Sequence, residues 1–213
     1  MQYILVSRSS LRAQLLHDFG LHNLEVYDCH DYESIDRELP CHLAAQEKVK
    51  KRVQNLLPEF KKFMTGDYCI IAMQTIIALF GEIYLKPLSY SEVVETLKKF
   101  SDRTHTVITA VYIYVCENGE VRDLVDYDYT HVTFSRILDA DINAYTFIQG
   151  YAEKVGGYSV FQDPMNFVKE VKGSITNTYG VPFEKLEKMF KKLNLKKDEA
   201  QSLENIEKKL KSL

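Results

Sequence analysis

Hydrophobic residues recur along this chain with two different periods, and the switches between them mark out strands and helices. Tyr3-Ile4-Leu5-Val6 is an unbroken apolar run that enters Ser7-Arg8-Ser9-Ser10-Leu11-Arg12, and a helix begins near Ala13-Gln14-Leu15-Leu16. Leu24-Glu25-Val26-Tyr27 predicts a second strand, followed by a polar stretch from Asp28 to Pro40. From His42 to about Leu57, the positions Ala45, Val49, Val53, Leu56 and Leu57 keep the spacing of one buried helical face, with Lys48 near its edge and Pro58 as terminator. Cys69-Ile70-Ile71-Ala72-Met73 has the continuous hydrophobicity of a strand buried on both faces, and it stops at Gln74-Thr75. Ile76 to Phe80 and Ile83-Tyr84-Leu85 predict a hairpin around Gly81-Glu82 that ends at Lys86-Pro87.

In the second half, Ser89 and Glu92 have capping-box spacing ahead of a helix from Val93 to Phe100. Thr106 to Cys116 and Val121 to Phe134 are long β-branched and aromatic runs joined by Asn118-Gly119, the chemistry of a two-residue hairpin turn. A helix over Asp141 to Ile148, a glycine turn at Gly156-Gly157, a strand over Phe167 to Val171 and a helix over Phe183 to Leu193 follow. The tail from Asp198 to Leu213 places Leu203, Ile206, Leu210 and Leu213 on one stripe, which packs either on its own domain or on a partner helix. Strands interleaved with helices, without internal repeats, predict one α/β unit with a mixed sheet over residues 1–195 and a helical extension over 196–213.

The bulk numbers narrow the function by exclusion. With 46% hydrophobic residues and a net charge of −3, the chain of 213 residues reads as an ordinary globular protein, and any grip on an anion must come from a local cluster. Duplex nucleic acid and membranes are not expected partners, since no apolar run reaches the roughly 18 residues needed to span a bilayer. Cys29, Cys41, Cys69 and Cys116 show no paired spacing, which fits reduced thiols and a cytoplasmic location. Cys29-His30 and Cys41-His42 echo one another, but their spacing matches no common zinc site.

Candidate chemistry gathers at strand ends and helix starts, where α/β proteins place ligands. The strand–turn–helix at Ser7 to Arg12 offers free amides, serine hydroxyls and a guanidinium to a phosphate chain; equally, Ser9 or Ser10 caps the helix and Arg12 lies on its wet face. Arg12, Lys48, Lys86 and Arg103 supply positive charge and Glu33 a carboxylate, a mixture suited to a polyphosphate with Mg²⁺. Taken singly, each is ordinarily a solvated surface group.

In order along the chain, seven segments resemble the Maf family of nucleotide pyrophosphatases, also called septum-formation inhibitor homologues. They are Ile4 to Arg12, Asp31-Tyr32-Glu33-Ser34, Ala45 to Val49, Leu85-Lys86-Pro87, Ser101 to Thr109, Glu153 to Tyr158, and Gly173 through Asn177 to Pro182. The resemblance implies an elongated mixed sheet flanked by helices, with two lobes around a nucleotide-binding cleft, and a homodimer. It implies hydrolysis of the α–β anhydride of nucleoside triphosphates to a monophosphate and pyrophosphate, with Mg²⁺ or Mn²⁺ as cofactor. By carry-over, Ser7, Ser9, Arg12, Lys48, Lys86 and Arg103 contact the substrate, Glu33 helps place metal or substrate, and Thr75 and Tyr158 point toward the branch acting on dTTP and UTP.

The departures fall on reacting groups. Gln74 stands where the family has the aspartate expected as base or metal ligand, and a neutral amide can neither take a proton at pH 7 nor replace a carboxylate on Mg²⁺. Phe161 stands at a glutamine position with Gln162 one residue later, Leu11 replaces an arginine, and Asp102 replaces a glycine beside Arg103, adding an anion near the phosphates. Two functions therefore stand: a nucleoside triphosphate pyrophosphatase of weakened activity, or a catalytically inactive nucleotide-binding or regulatory protein on the same fold.

Overall fold

The computed structural model describes residues 1–29, 34–147 and 150–212. The N-terminal apolar run forms β1 (Gln2–Val6), and Ser9 caps α1 (Ser10–Asp18) by accepting the Arg12 amide N–H at 3.3 Å. β2 (Leu24–Tyr27) and α2 (Cys41–Phe63) follow, then β3 (Tyr68–Leu79), β4 (Glu82–Tyr84) and α3 (Tyr90–Phe100). The long hairpin of β5 (Thr104–Glu117) and β6 (Glu120–Phe134) turns at Asn118-Gly119, whose φ angles of 51° and 80° are the left-handed pair such a turn requires. α4 (Asp139–Thr146), β7 (Val168–Lys172), α5 (Ile175–Thr178), α6 (Phe183–Lys192) and α7 (Leu203–Lys211) complete the described strands and α-helices.

The strands form one mixed sheet in the order β2-β1-β3-β5-β6-β7, with β4 added to the far end of β3. β1 runs parallel to both its neighbours, and the other pairs are antiparallel. Apart from Gln74 and Thr75, β3 is almost wholly apolar, as befits a strand covered on both faces. Its residues Cys69, Ile71 and Met73 enter a core with α1, α6 and α7, while Ile70, Ala72 and Ile76 face α2. Further along, Ile77 and Leu79 enter a separate core with α3 and α4, so one strand runs through two lobes.

Two predicted boundaries are corrected. β3 does not stop at Gln74-Thr75: pairing with β5 continues through Gln74↔Ala110 and Thr75↔Thr109, and the second lobe supplies burial for the strand beyond. Nor does Pro58 end α2, which runs on to Phe63. A proline inside a helix costs about 3 kcal/mol, but the extra turn buries Phe60, whose ring lies 4.8 Å from that of Tyr27 and 5.5 Å from that of Phe63. Burying one such ring contributes about 1.5–3 kcal/mol, enough to offset most of the proline.

The tail packs on its own chain. Ile206 and Leu210 of α7 join the core of α1 and α6, whereas Leu203 is exposed. Asp18 anchors it: only 3% exposed, its carboxylate accepts from Lys209 Nζ at 2.6 Å and from Gln201 Nε2 at 3.2 Å. Among the described residues, no helix is long and apolar enough to cross a membrane.

Candidate functional site

β1 pairs with β3 only as far as Val6↔Ala72, and β4 joins the same strand only from Ile77↔Tyr84. Met73 to Ile76 therefore lie in a gap between two neighbours, and this gap is the floor of a cavity of about 670 Å³. A backbone carbonyl left without a strand partner must find another donor. Here side chains provide it. The Met73 carbonyl accepts from Arg12 Nη1 at 3.0 Å and from Arg52 Nη1 at 3.2 Å, and the Thr75 carbonyl accepts from Gln74 Nε2 at 3.0 Å.

Each cation is positioned by its own element. Arg12 leaves the first turn of α1, passes beside Gly180 and donates to Thr75 Oγ1 at 2.8 Å. Thr75 Oγ1 lies 3.0 Å from Thr109 Oγ1, which in turn sits 3.1 Å from the Asn177 carbonyl, so the guanidinium rests on a buried polar chain. Of the two readings of the opening turn, Ser9 does cap the helix, but Arg12 turns into the cavity rather than to solvent. On α2, Lys48 and Arg52 are one turn apart on the same face. They are 8% and 6% exposed, and both line the cavity. Two like charges at that spacing repel unless an anion or dipole lies between them.

Lys86 follows β4 and pairs with Glu153 at 3.5 Å. Lys154 also lines the wall, and burial pulls its ammonium below the usual lysine range. With Arg8, six basic side chains face Glu153 as the acidic one among the described lining residues. The chain is acidic overall, so this cavity concentrates positive charge locally.

Ser7, Ser9, Arg12, Lys48, Gln74, Thr75, Lys86, Tyr158 and Gln162 are all brought together in the lining. Three other expectations fall elsewhere. The Arg103 guanidinium donates to the Lys99 carbonyl at 2.6 Å and stacks 5.8 Å from Phe80, outside the lining. The anion expected from Asp102 is not in the lining either; with φ of 54° it occupies the left-handed backbone of a glycine-type turn. Phe161 packs on Tyr179 with ring centroids 6.1 Å apart, and Lys211 of α7 lies 5.2 Å over its ring, while its neighbour Gln162 reaches the cavity. Glu33 and the acidic loop around it lie outside the described residues.

Tyr158 is fixed rather than reactive. Its hydroxyl shares a 2.6 Å hydrogen bond with His105 Nε2, burial raises its pKa well above the phenol range, and burial lowers His105 to about 3. The imidazole is therefore neutral at pH 7. Arg52 was missed by the sequence reading, while Lys154 and Gly180 fell within its motif segments but were given no role. Arg52 carried a signal, since a charge four residues after Lys48 falls on the same helical face.

Among the described residues the fit for a metal is poor. Gln74 Oε1 already accepts from Arg52 Nη2 at 2.7 Å, and among the described residues no three His, Cys, Asp or Glu side chains gather to hold an ion. Cys29 lines the cavity while Cys41 donates to the Gly81 carbonyl at 3.4 Å, and all four cysteines are free thiols.

The family model described as Maf-like protein matches residues 2–193. The chain belongs to this family. A dTTP/UTP pyrophosphatase of Alkaliphilus oremlandii is 30% identical over 185 residues, covering 87% of this chain and 92% of the relative. A nucleoside triphosphate pyrophosphatase of Haemophilus ducreyi is 31% identical over 200 residues, covering 90% and 94%. A solved dITP/XTP pyrophosphatase of Mycobacterium abscessus superposes over 91% of this chain and 97% of its own, with TM-score 0.37 and 10% identity, too distant to bear on the site. In this Maf-like chain six of the seven segments contribute residues to one cavity, and Arg52 stands beside Gln74 there.

Proposed function

We propose that this Maf-like chain binds a nucleoside triphosphate in the cavity and hydrolyses its α–β phosphoanhydride. The observation that carries the reading is that, among the described lining residues, six basic side chains and one carboxylate surround the open stretch of β3. Such a cluster suits a polyphosphate and has no use for a neutral metabolite. Water attacks the α-phosphorus, the bond to the bridging oxygen breaks, and pyrophosphate leaves with the new negative charge. Arg12, Lys48, Lys86 and Lys154 stabilise that charge, a contribution of preorganised cations that is ordinarily large. Glu33 takes the water's proton. Mg²⁺ or Mn²⁺, were it bound to the nucleotide's phosphates, would neutralise part of their charge; among the described residues no cluster of carboxylates would hold it. The relatives' names favour dTTP and UTP as substrates, and the family resemblance favours a homodimer.

A second reading is binding without turnover. It is favoured by Gln74, whose amide is committed to Arg52 and to the Thr75 carbonyl and cannot act as a base. Incubating the protein with dTTP, UTP, ATP and GTP in Mg²⁺ or Mn²⁺ and measuring pyrophosphate separates the two. Release from the pyrimidine nucleotides at least tenfold faster than from the purines supports hydrolysis. Saturable binding with no release supports the second reading, and no binding overturns both.

A further inference from the structure

Thr75 of β3 and Thr109 of β5 are register partners, and their hydrogen bonds fix which way each hydroxyl hydrogen points. Thr109 Oγ1 lies 3.1 Å from the Asn177 carbonyl, which can only accept, so the single hydroxyl hydrogen of Thr109 is spent there. The 3.0 Å contact between the two threonines then runs the other way, with Thr75 donating. Arg12 Nη2 donates to Thr75 Oγ1 at 2.8 Å, because a guanidinium has no acceptor. Thr75 Oγ1 therefore has no hydrogen left to offer and one lone pair beyond these bonds. The arrangement is locked from behind: the Asn177 carbonyl also accepts from the Gly180 amide at 2.9 Å, and Asn177 Nδ2 donates to the Val107 carbonyl at 3.1 Å and to Thr130 Oγ1 at 3.0 Å. Thr109 and Asn177 are wholly buried, whereas Thr75 lines the cavity.

Ionised phosphate oxygens are acceptors, so the phosphate chain cannot satisfy that lone pair; the group that meets Thr75 must bring a hydrogen. Resting on the reading of the cavity as a site of nucleoside triphosphate hydrolysis, we propose that Thr75 Oγ1 holds the attacking water as a fixed acceptor, and that Thr109 is the positioning residue that keeps it one. Arg12 shares the same oxygen, which places the lone pair beside the phosphates and away from the base. One hydrogen of the water points at Thr75 and stays on the water oxygen. The other leaves to Glu33 as that oxygen bonds to the α-phosphorus, and the bridging oxygen departs with the electron pair of its bond as pyrophosphate. The retained hydrogen ends on the monophosphate, from which it ionises. Thr75 takes no proton at any stage, so its contribution is orientation of the nucleophile.

The test compares pyrophosphate release from dTTP, UTP and CTP with calorimetric affinity for an α,β-imido analogue of dTTP, which resists cleavage, in Thr109→Val, Thr109→Ser and Thr75→Val; a thermal melt of each variant confirms that it is folded. Thr109→Val leaves Thr75 in place but frees its hydrogen to turn into the cavity. The expected result is a kcat about fivefold lower or less still, the size of one hydrogen bond lost in the transition state, with analogue affinity equal to the parent's or tighter. Thr109→Ser restores kcat, and Thr75→Val lowers it at least as far as Thr109→Val does. Folded Thr109→Val with parental kcat overturns the inference, as does Thr109→Ser that is no faster than Thr109→Val, which marks a packing role only. A Thr109→Val loss confined to analogue affinity or to the preference for UTP over CTP also overturns it, because a base N–H would then be the donor at Thr75. A parent that releases no pyrophosphate overturns the hydrolysis reading itself, and this inference falls with it.

Discussion

Gly180 decides where Arg12 can be. At φ of +81° it occupies left-handed backbone, and a Cβ added there would lie 2.7 Å from both Nε and Nη2 of Arg12 and 2.8 Å from Thr75 Oγ1. In Gly180→Ala the backbone strain costs about 1–2 kcal/mol, lowering the melting temperature of a chain this size by about 2–8 °C. The larger effect is on binding. The clash involves the flexible end of Arg12, which yields by leaving its partners on Met73 and Thr75 and with them its place on the cavity floor. Losing one hydrogen bond from a charged group costs about 1.5–3 kcal/mol, so affinity for the α,β-imido dTTP analogue falls roughly 10- to 150-fold. Calorimetric titration and a thermal melt on the same preparation read the two effects separately. A variant with a lowered melt and an affinity within twofold of the parent would refute the reasoning, because Arg12 would then have no part in holding phosphate.

His105 makes stability depend on acid. Its folded pKa of about 3 lies below the unfolded value of 6.5, so the unfolded state binds the extra proton; this contribution is complete above pH 6.5 and is lost as pH falls toward 3. Between pH 6.5 and 5 it removes about 2 kcal/mol, and urea midpoints in His105→Asn should show a shallower acid slope than in the parent; parallel slopes would reject the assignment. Lys209→Met leaves the buried Asp18 carboxylate without its cation. Removing one partner of such a pair costs about 3 kcal/mol or somewhat less here, since Lys209 is partly exposed, and a melt within 1 °C of the parent would show that α7 is not latched through Asp18. Lys86→Ala removes an exposed cation whose only described partner is Glu153, so nucleotide affinity should drop about tenfold with an unchanged melt; equal affinity would take Lys86 out of the site.

The elements themselves were largely legible. A period-two or continuous apolar run of β-branched residues has few alternatives to a strand, and Asn118-Gly119 dictates its turn through backbone sterics alone. The same local logic offered Ser9 or Ser10, and Ser89, as caps, and the hydroxyls of Ser9 and Ser89 accept from the amides of Arg12 and Glu92. Ordered motifs also made the family and most of the cavity lining readable, because residue type at a strand end or helix start is a local property. Local rules failed where long-range burial outweighed them. Pro58 stays in a helix because Phe60 finds Tyr27, and β3 passes Gln74-Thr75 because a second core waits beyond.

What the sequence determined by itself is therefore the alphabet of strands, helices and turns, the family, and the types of charge available, each set by neighbours within a few residues. The tertiary structure alone decided that β1 ends short and β4 begins late on the same edge of β3, leaving two carbonyls for side chains to satisfy. It also brought Arg12 and Arg52, forty residues apart in the chain, onto one oxygen of Met73. The physical reason is that an unpaired carbonyl and a buried cation become partners only when packing has excluded water from both, and no periodicity in the chain records that meeting.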